Sequence, residues 1–276
     1  MSTVYDVAVV GSRGFLGSAI ASEFERRGAH VGRFTKEQPF AGGAATVVWA
    51  AGHVTPADTT RRQAALADLA GLVGAARRSA PSPHIVLLSS GGAVYGPPAL
   101  APFSEADEPS PPNEYGRIKL AEERLLADAG LPHTTLRIAN PFGPAQVAGG
   151  RPQGVIGVWM RAVLAGEPIT IFGDGSTVRD FVYVDDVAAA VAAAVERAPE
   201  GPINIGSGLG TSLADLLETL RATVGTREID VRREPARGVD PPANWLEVSR
   251  ALEELDWRPA TSLAEGLART WAAVST

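Results

Sequence analysis

Val4-Tyr5-Asp6-Val7-Ala8-Val9-Val10-Gly11-Ser12-Arg13-Gly14-Phe15-Leu16-Gly17 decides the fold. An apolar run of strand length stops at a glycine, as a buried parallel strand does. Three glycines follow at a G-x-x-G-x-x-G spacing, and residues 19–27 read as a helix closed by Gly28. Glycines between a strand and a helix let the backbone approach a pyrophosphate, and the helix N-terminus adds amide donors and a favourable dipole. Taken alone, the same glycines fit a tight turn with no ligand. Placed here, they make Gly11, Ser12, Arg13, Gly14, Phe15, Leu16 and Gly17 candidate cofactor-binding residues.

Working outward, residues 30–34, 46–50, 85–89 and 133–137 read as strands, and residues 60–78 and 114–126 as helices. The alternation predicts an α/β fold with a doubly wound parallel sheet. About ten residues separate the second strand from the third, too few for a usual helical crossover, so one strand–helix unit is expected to be trimmed. Beyond residue 150 the pattern loosens into short strands and helices at 155–165, 186–198 and 212–224. The expected division is a dinucleotide-binding core over 1–150, rejoined by 184–206, and a smaller C-terminal α/β substrate-binding lobe over 151–276. Segments 96–112 and 141–153, rich in Pro and Gly, are expected to flank a cleft.

Composition removes several classes. Apolar residues are 45% and charged residues 20% of the 276, which suits a buried core rather than disorder. The net charge of −6, without a Lys/Arg cluster, argues against a nucleic-acid partner. There is no cysteine, so disulfides, thiolate zinc and cysteine nucleophiles are excluded. His30, His53, His84 and His133 show no metal spacing. The N-terminus reads directly into a strand and the longest apolar stretch is too short to span a bilayer; the expectation is a cytoplasmic protein without a membrane partner.

An acidic residue normally ends the second strand of such a sheet and binds the ribose 2′-hydroxyl of NAD. Here Gly32-Arg33-Phe34-Thr35-Lys36 offers no acid before Glu37. Arg13, Arg33 and Lys36 could instead surround a 2′-phosphate. This favours NADP(H), with NAD(H) as the alternative; the bland reading of the basic set is solvated surface charge.

Tyr115-Gly-Arg-Ile-Lys119 puts a phenol and an ammonium at i and i+4, on one helix face. A free phenol near pKa 10 is a poor base at neutral pH, and an adjacent cation favours the phenolate. Such a pair can exchange a proton with a sugar hydroxyl while hydride moves to or from a nicotinamide. The spacing is common on helix surfaces, but here it follows a strand ending Ser89-Ser90 and a Pro-rich loop.

At this point the chain resembles the extended short-chain dehydrogenase/reductase family, in its NAD-dependent epimerase/dehydratase branch, which acts on nucleotide sugars. The likeness includes the glycine run, Ala50-Ala51-Gly52, Ser89-Ser90-Gly-Gly-Ala-Val-Tyr95-Gly96 and the Tyr/Lys pair. It continues through Leu136-Arg137-Ile-Ala-Asn140-Pro141-Phe142-Gly143-Pro144 and Gly173-Asp174-Gly175-x3-Arg179-Asp180-Phe181-Val182-Tyr183-Val184-Asp185-Asp186 to Trp257-Arg-Pro-x4-Leu263-x2-Gly266-Leu267. The resemblance implies a Rossmann sheet, with Tyr115 as acid/base and Lys119 holding the nicotinamide ribose. Ala50, Ala51, Gly52 and Ser89 would border the cofactor. Asn140 and Arg179 would contact the sugar-nucleotide diphosphate, Arg237 would be a second cationic clamp, and the backbone at Ile171 and Phe172 would border the nucleobase. It also implies a homodimer paired through the helix carrying Tyr115. A structural Arg179–Asp180 ion pair is the alternative for that motif, and Asp185 and Asp186 read as a helix N-cap and a first-turn acid.

One departure stands out. The family places a Ser or Thr just after the Ser-Ser dipeptide to hold the reacting oxygen; here that position is Gly91, and a second hydroxyl position is Ala93. Ser90 is the nearest substitute, which completes the catalytic set Tyr115, Lys119, Ser90. Gly91-Gly92 also lacks the Asp-Glu pair of a dehydratase. The leading expectation is an NADPH-dependent reductase of a dTDP- or UDP-linked 4-keto sugar. The alternative is an NAD-dependent, UDP-glucose 4-epimerase-like enzyme, and the third is a catalytically silent NADP-binding protein.

Overall fold

The computed structural model describes residues 5–35, 40–52, 55, 58–97, 99–148, 153–225, 227–236 and 241–275. Lys36 and Arg237, both expected at the site, lie outside the described residues. The first strand, β1 (Tyr5–Val10), is buried over its last four residues. Val7 and Val9 join one core and Ala8 and Val10 another, because successive side chains leave a strand on opposite faces.

In chain order follow α1 (Phe15–Arg26), β2 (Val31–Phe34), β3 (Ala44–Trp49), α2 (Arg62–Arg78), β4 (His84–Ser90), the short α3 (Gly91–Val94), α4 (Glu114–Ala127) and β5 (His133–Ile138). The strands read from the sequence are therefore present. The chain continues through β6 (Asn140–Phe142), α5 (Pro144–Ala148), α6 (Gly154–Ala165), β7 (Ile169–Phe172), β8 (Val178–Arg179), β9 (Phe181–Tyr183), α7 (Val184–Arg197) and β10 (Gly201–Ile205). It closes with β11 (Thr211–Ser212), α8 (Leu213–Val224), β12 (Val231–Glu234), β13 (Ala243–Asn244), α9 (Ser249–Leu255) and α10 (Leu263–Val274).

Six strands form one sheet in the order β10-β5-β4-β3-β1-β2, with every pairing parallel. β2 is an edge strand, and the described residues between β2 and β3 contain no helix, in keeping with a trimmed crossover. α1 and α7 pack together on one face of the sheet, α2 and α4 on the other. Both faces are covered, which is why the strands are continuous apolar runs. A separate core gathers Phe142, Trp159, Met160, Ile169, Ile171, Leu216, Leu220 and Leu267 from β6, α6, β7, α8 and α10.

Asp185 and Asp186 both lie in the first turn of α7, whose N-cap is Tyr183 without a side-chain cap bond. The expected aspartate N-cap is thus corrected. The buried Asp186 instead accepts from the amides of Ala260 and Thr261, at 3.2 and 3.0 Å.

Candidate active site

The glycine loop is fixed from below. The amides of Gly11 and Ser12 and the Ser12 hydroxyl all donate to the Phe34 carbonyl, at 3.0, 3.1 and 3.0 Å. The Ser12 hydroxyl is thereby committed to the end of β2. Gly11 has φ +89°, and a Cβ there would sit 2.6 Å from the Ala51 amide nitrogen; one at Gly17 would run into the Gly11 carbonyl. These two glycines are demanded by the fold itself. Gly14 differs: it caps α1, and a Cβ there would meet only the Gly11 carbonyl, at 3.3 Å. Its outer side is open, where first-turn amides have no intrahelical acceptor, a surface that fits a pyrophosphate.

Phe15 and Leu16 start α1; Phe15 packs against the separate core and Leu16 against both that core and the one under the sheet. Ala50 and the buried Ala51 carry the chain away from β3, and Gly52 is exposed beyond them. Arg13 is exposed on the loop. Arg33 is held: its guanidinium donates twice to Glu25 of α1, each bond 2.8 Å. The exposed Glu25 carboxyl is kept below the usual range by that bond.

At the other end of the cleft, β4 delivers Ser89 and Ser90. The Ser89 hydroxyl donates to Glu123, which Arg137 grips through Nη2 at 2.7 Å. Arg137 reaches on to the Tyr95 hydroxyl at 2.8 Å, and that hydroxyl donates to Asn204 at 2.9 Å. This buried chain ties β4, α4, β5 and β10 together and leaves Ser89 only its backbone for a cofactor. Ser90 is half-buried and precedes α3 without a cap bond from its side chain.

Gly91 has a steric reason. A Cβ there would lie 2.6 Å from Leu246 Cδ1 and 2.9 Å from the Arg137 carbonyl. Leu246 therefore occupies the space a Ser or Thr would need. Gly92 faces Asn140, whose Oδ1 would be 3.6 Å from a Cβ at that position. Asn140 is anchored twice to the Asp180 carbonyl, through its amide at 3.0 Å and Nδ2 at 2.9 Å.

Tyr115 follows a helix start capped by Asn113, which accepts from the Gly116 amide at 2.9 Å. A Cβ at Gly116 would run into the Ala93 carbonyl, so the first turn of α4 rests directly on α3. Tyr115 packs half-buried against Ala65 and Ile118. One turn on, Lys119 is buried, its ammonium 2.8 Å from Glu122 and 3.4 Å from the Leu88 carbonyl. Burial pulls the Lys119 pKa down, but Glu122 and then Tyr115 push it up by more. The net direction is upward, so the ammonium stays charged.

Arg179 lies in β8 and donates through Nη1 to the carbonyls of Val178 and Pro241, at 2.8 and 2.9 Å. It does not pair with Asp180. The Asp180 carboxylate accepts from the Ser207 amide and hydroxyl and from the amides of Gly208 and Leu246. β13 brings Asn244 beside Arg179 in register. Asn244 is 1% exposed, with Nδ2 3.4 Å from the Gly92 carbonyl and Oδ1 without a partner. Ile171 is buried in the separate core and Phe172 is half-buried beside it. A cavity of about 510 Å³ between β7, β12 and α8 is lined by Ile171, Asp174 and Arg221, and by neither Tyr115 nor Lys119.

Sequence reasoning missed Glu122, Asn244 and Leu246. Glu122 carried a signal, since 115, 119 and 122 are i, i+4 and i+7 on a helix. Asn244 and Leu246 carried none, because they reach α3 only through the folded chain.

The profile of the "NAD dependent epimerase/dehydratase family" matches residues 40–206. The chain belongs to that family. It is 37% identical over 212 residues to a UDP-glucose 4-epimerase of Mycolicibacterium smegmatis, covering 74% of this chain and 64% of that one. It is 34% identical over 192 residues to a dTDP-4-dehydro-6-deoxyglucose reductase of Escherichia coli, covering 66% and 58%. The chain thus spans about six tenths of these curated relatives. The solved UDP-glucose 4-epimerase of Thermotoga maritima, with UDP-glucose bound, superposes with a TM-score of 0.88 at 29% identity over 97% of both chains. The parallel Rossmann sheet expected from the sequence is therefore the fold of this family member.

Proposed function

We propose that this protein is a nucleotide-sugar 4-epimerase that retains NAD. The observation that carries this is the Tyr115/Lys119 pair resting on α3, in a chain whose curated and solved relatives include UDP-glucose 4-epimerases. NAD supplies a hydride acceptor and donor when bound. Tyr115 takes the proton of the sugar hydroxyl as it is oxidised and returns it when the carbonyl is reduced. Lys119 keeps a positive charge near that phenol and would hold the nicotinamide ribose. Asn140 and Arg179 hold the diphosphate, and the segments after residue 150 outside the main sheet form the sugar lobe. The reading includes a homodimer through α4, testable by light scattering.

The 4-keto-sugar reductase expected first rested on a basic set for NADPH. Glu25 now holds Arg33, which weakens that argument. Two incubations decide between the readings, one with UDP-glucose and NAD and one with a nucleotide-linked 4-keto sugar and NADPH. Conversion to the 4-epimer without net NADH is the expected result; stoichiometric NADPH oxidation with a 4-keto sugar, and no epimerisation, overturns the epimerase reading.

A further inference from the structure

A buried ammonium needs an anionic partner, and Lys119 has one that the proposed reaction does not use. Glu122 is 2% exposed and stands 2.8 Å from the ammonium. An ammonium has three N–H donors. One goes to Glu122 and a second, longer one to the Leu88 carbonyl at 3.4 Å. The third has no acceptor among the described residues, and Tyr115 lies one turn back on the same helix. Tyr115, Lys119 and Glu122 share one stripe of the helix. A carboxylate in contact with the ammonium offsets much of the field that the ammonium exerts on the phenol.

We propose that Glu122 is a positioning residue: it fixes the Lys119 ammonium in place and sets how much of its positive charge reaches the Tyr115 phenol. This rests on the Tyr115/Lys119 assignment above. Other charged groups lie on the elements packed against α4. Glu123, on the same helix, is bound to Arg137 from β5 and to Ser89 from β4. α2 brings Arg62, held by Glu114, and the half-buried Asp68. α3 has no ionisable side chain. Glu122 is the carboxylate in direct contact with the ammonium.

The test is a spectroscopic pH titration of phenolate absorbance in the whole chain, without substrate. The chain has four tyrosines, and burial holds two of them, Tyr95 and Tyr183, above the ordinary range. The transition that Tyr115→Phe removes is the one followed. Glu122→Gln keeps shape and an acceptor but removes the charge. The expected result is a midpoint displaced by about one pH unit, the scale of one charge at short range through a partly screened interior: downward where Lys119 keeps its proton, upward where burial removes that proton once Glu122 is neutral. Glu122→Asp keeps the charge, and its midpoint should stay near that of the wild type. Coincident midpoints for wild type and Glu122→Gln overturn the proposal, as does a Glu122→Asp midpoint that moves as far as the Gln one. Turnover separates the two layers: a fully active Tyr115→Phe enzyme defeats the underlying assignment, whereas an inactive one with unmoved midpoints defeats only the role of Glu122.

Discussion

At the scale of single residues, the cleft has a gap that its neighbours have closed. Leu246 fills the volume beside Gly91, so no hydroxyl can stand there without displacing it. Ser90 is the hydroxyl that remains at the end of β4. Tyr115→Phe removes one oxygen and preserves the ring, and a positioned acid/base group contributes about 10²–10⁴-fold in rate. Turnover should fall by that factor with cofactor affinity intact. Ser90→Ala should cost on the order of 10²-fold if Ser90 binds the reacting oxygen; unchanged turnover removes Ser90 from the catalytic set. Asn244 offers a complementary test. A buried amide oxygen without a partner costs about 1–3 kcal/mol, and a site retains such an atom when a ligand supplies the donor. Asn244→Leu should therefore leave the unfolding free energy no lower than the wild type's by more than about 1 kcal/mol, while UDP-sugar affinity falls about tenfold. Equal affinity by calorimetry would make Asn244 a packing residue only.

At the scale of elements, β2 and α1 meet at Arg33 and Glu25, and the proposed cofactor choice can be tested at that contact. The two-point contact keeps the guanidinium on α1, although both side chains are largely exposed and the pair is worth little to stability. Glu25→Gln should release Arg33 and shift relative affinity toward NADP(H) by a few-fold, measured by titrating both reduced cofactors; no shift would show that Arg33 does not face the 2′ position. The absence of an acid before Glu37 was legible in the sequence, but the side chain that claims Arg33 was not, because Glu25 lies eight residues away on the preceding helix. Elements with local signals were read well. β1 and its glycine loop, β4, α4 and β5 announce themselves through apolar runs and helical spacing. α10 was overlooked despite Ser262 three residues before Glu265, a pattern in which the serine accepts from the Glu265 amide. The three-dimensional part of the site, where β13 and residue 246 reach α3, has no local signature to read.

At the scale of the whole molecule, one carboxylate ties the parallel sheet to the chain that covers the cleft. Asp180 is fully buried just before β9, and its carbonyl anchors Asn140 at the head of β6. Its carboxylate accepts from Ser207, which follows β10 of the main sheet, at 2.7 Å from the amide and 2.6 Å from the hydroxyl. The other oxygen accepts from Leu246, the residue that closes over Gly91, at 3.3 Å. Three distant stretches therefore depend on one side chain. Asp180→Asn replaces one acceptor oxygen with a donor facing amide donors. It should lower the unfolding free energy by about 1–3 kcal/mol at neutral pH. The pH dependence carries a sign. Burial raises the Asp180 pKa above its ordinary value, and the bonds from Ser207 offset that only in part. A carboxyl raised in the folded state contributes stability that is full below its unfolded pKa and is lost as pH rises through the folded one. The asparagine variant lacks this term, so its deficit relative to the wild type should widen as pH falls from 8 toward 5, followed by denaturant unfolding. A deficit that narrows on acidification would mean that the four donors around Asp180 outweigh its burial and that the carboxylate is stabilised in its charged form.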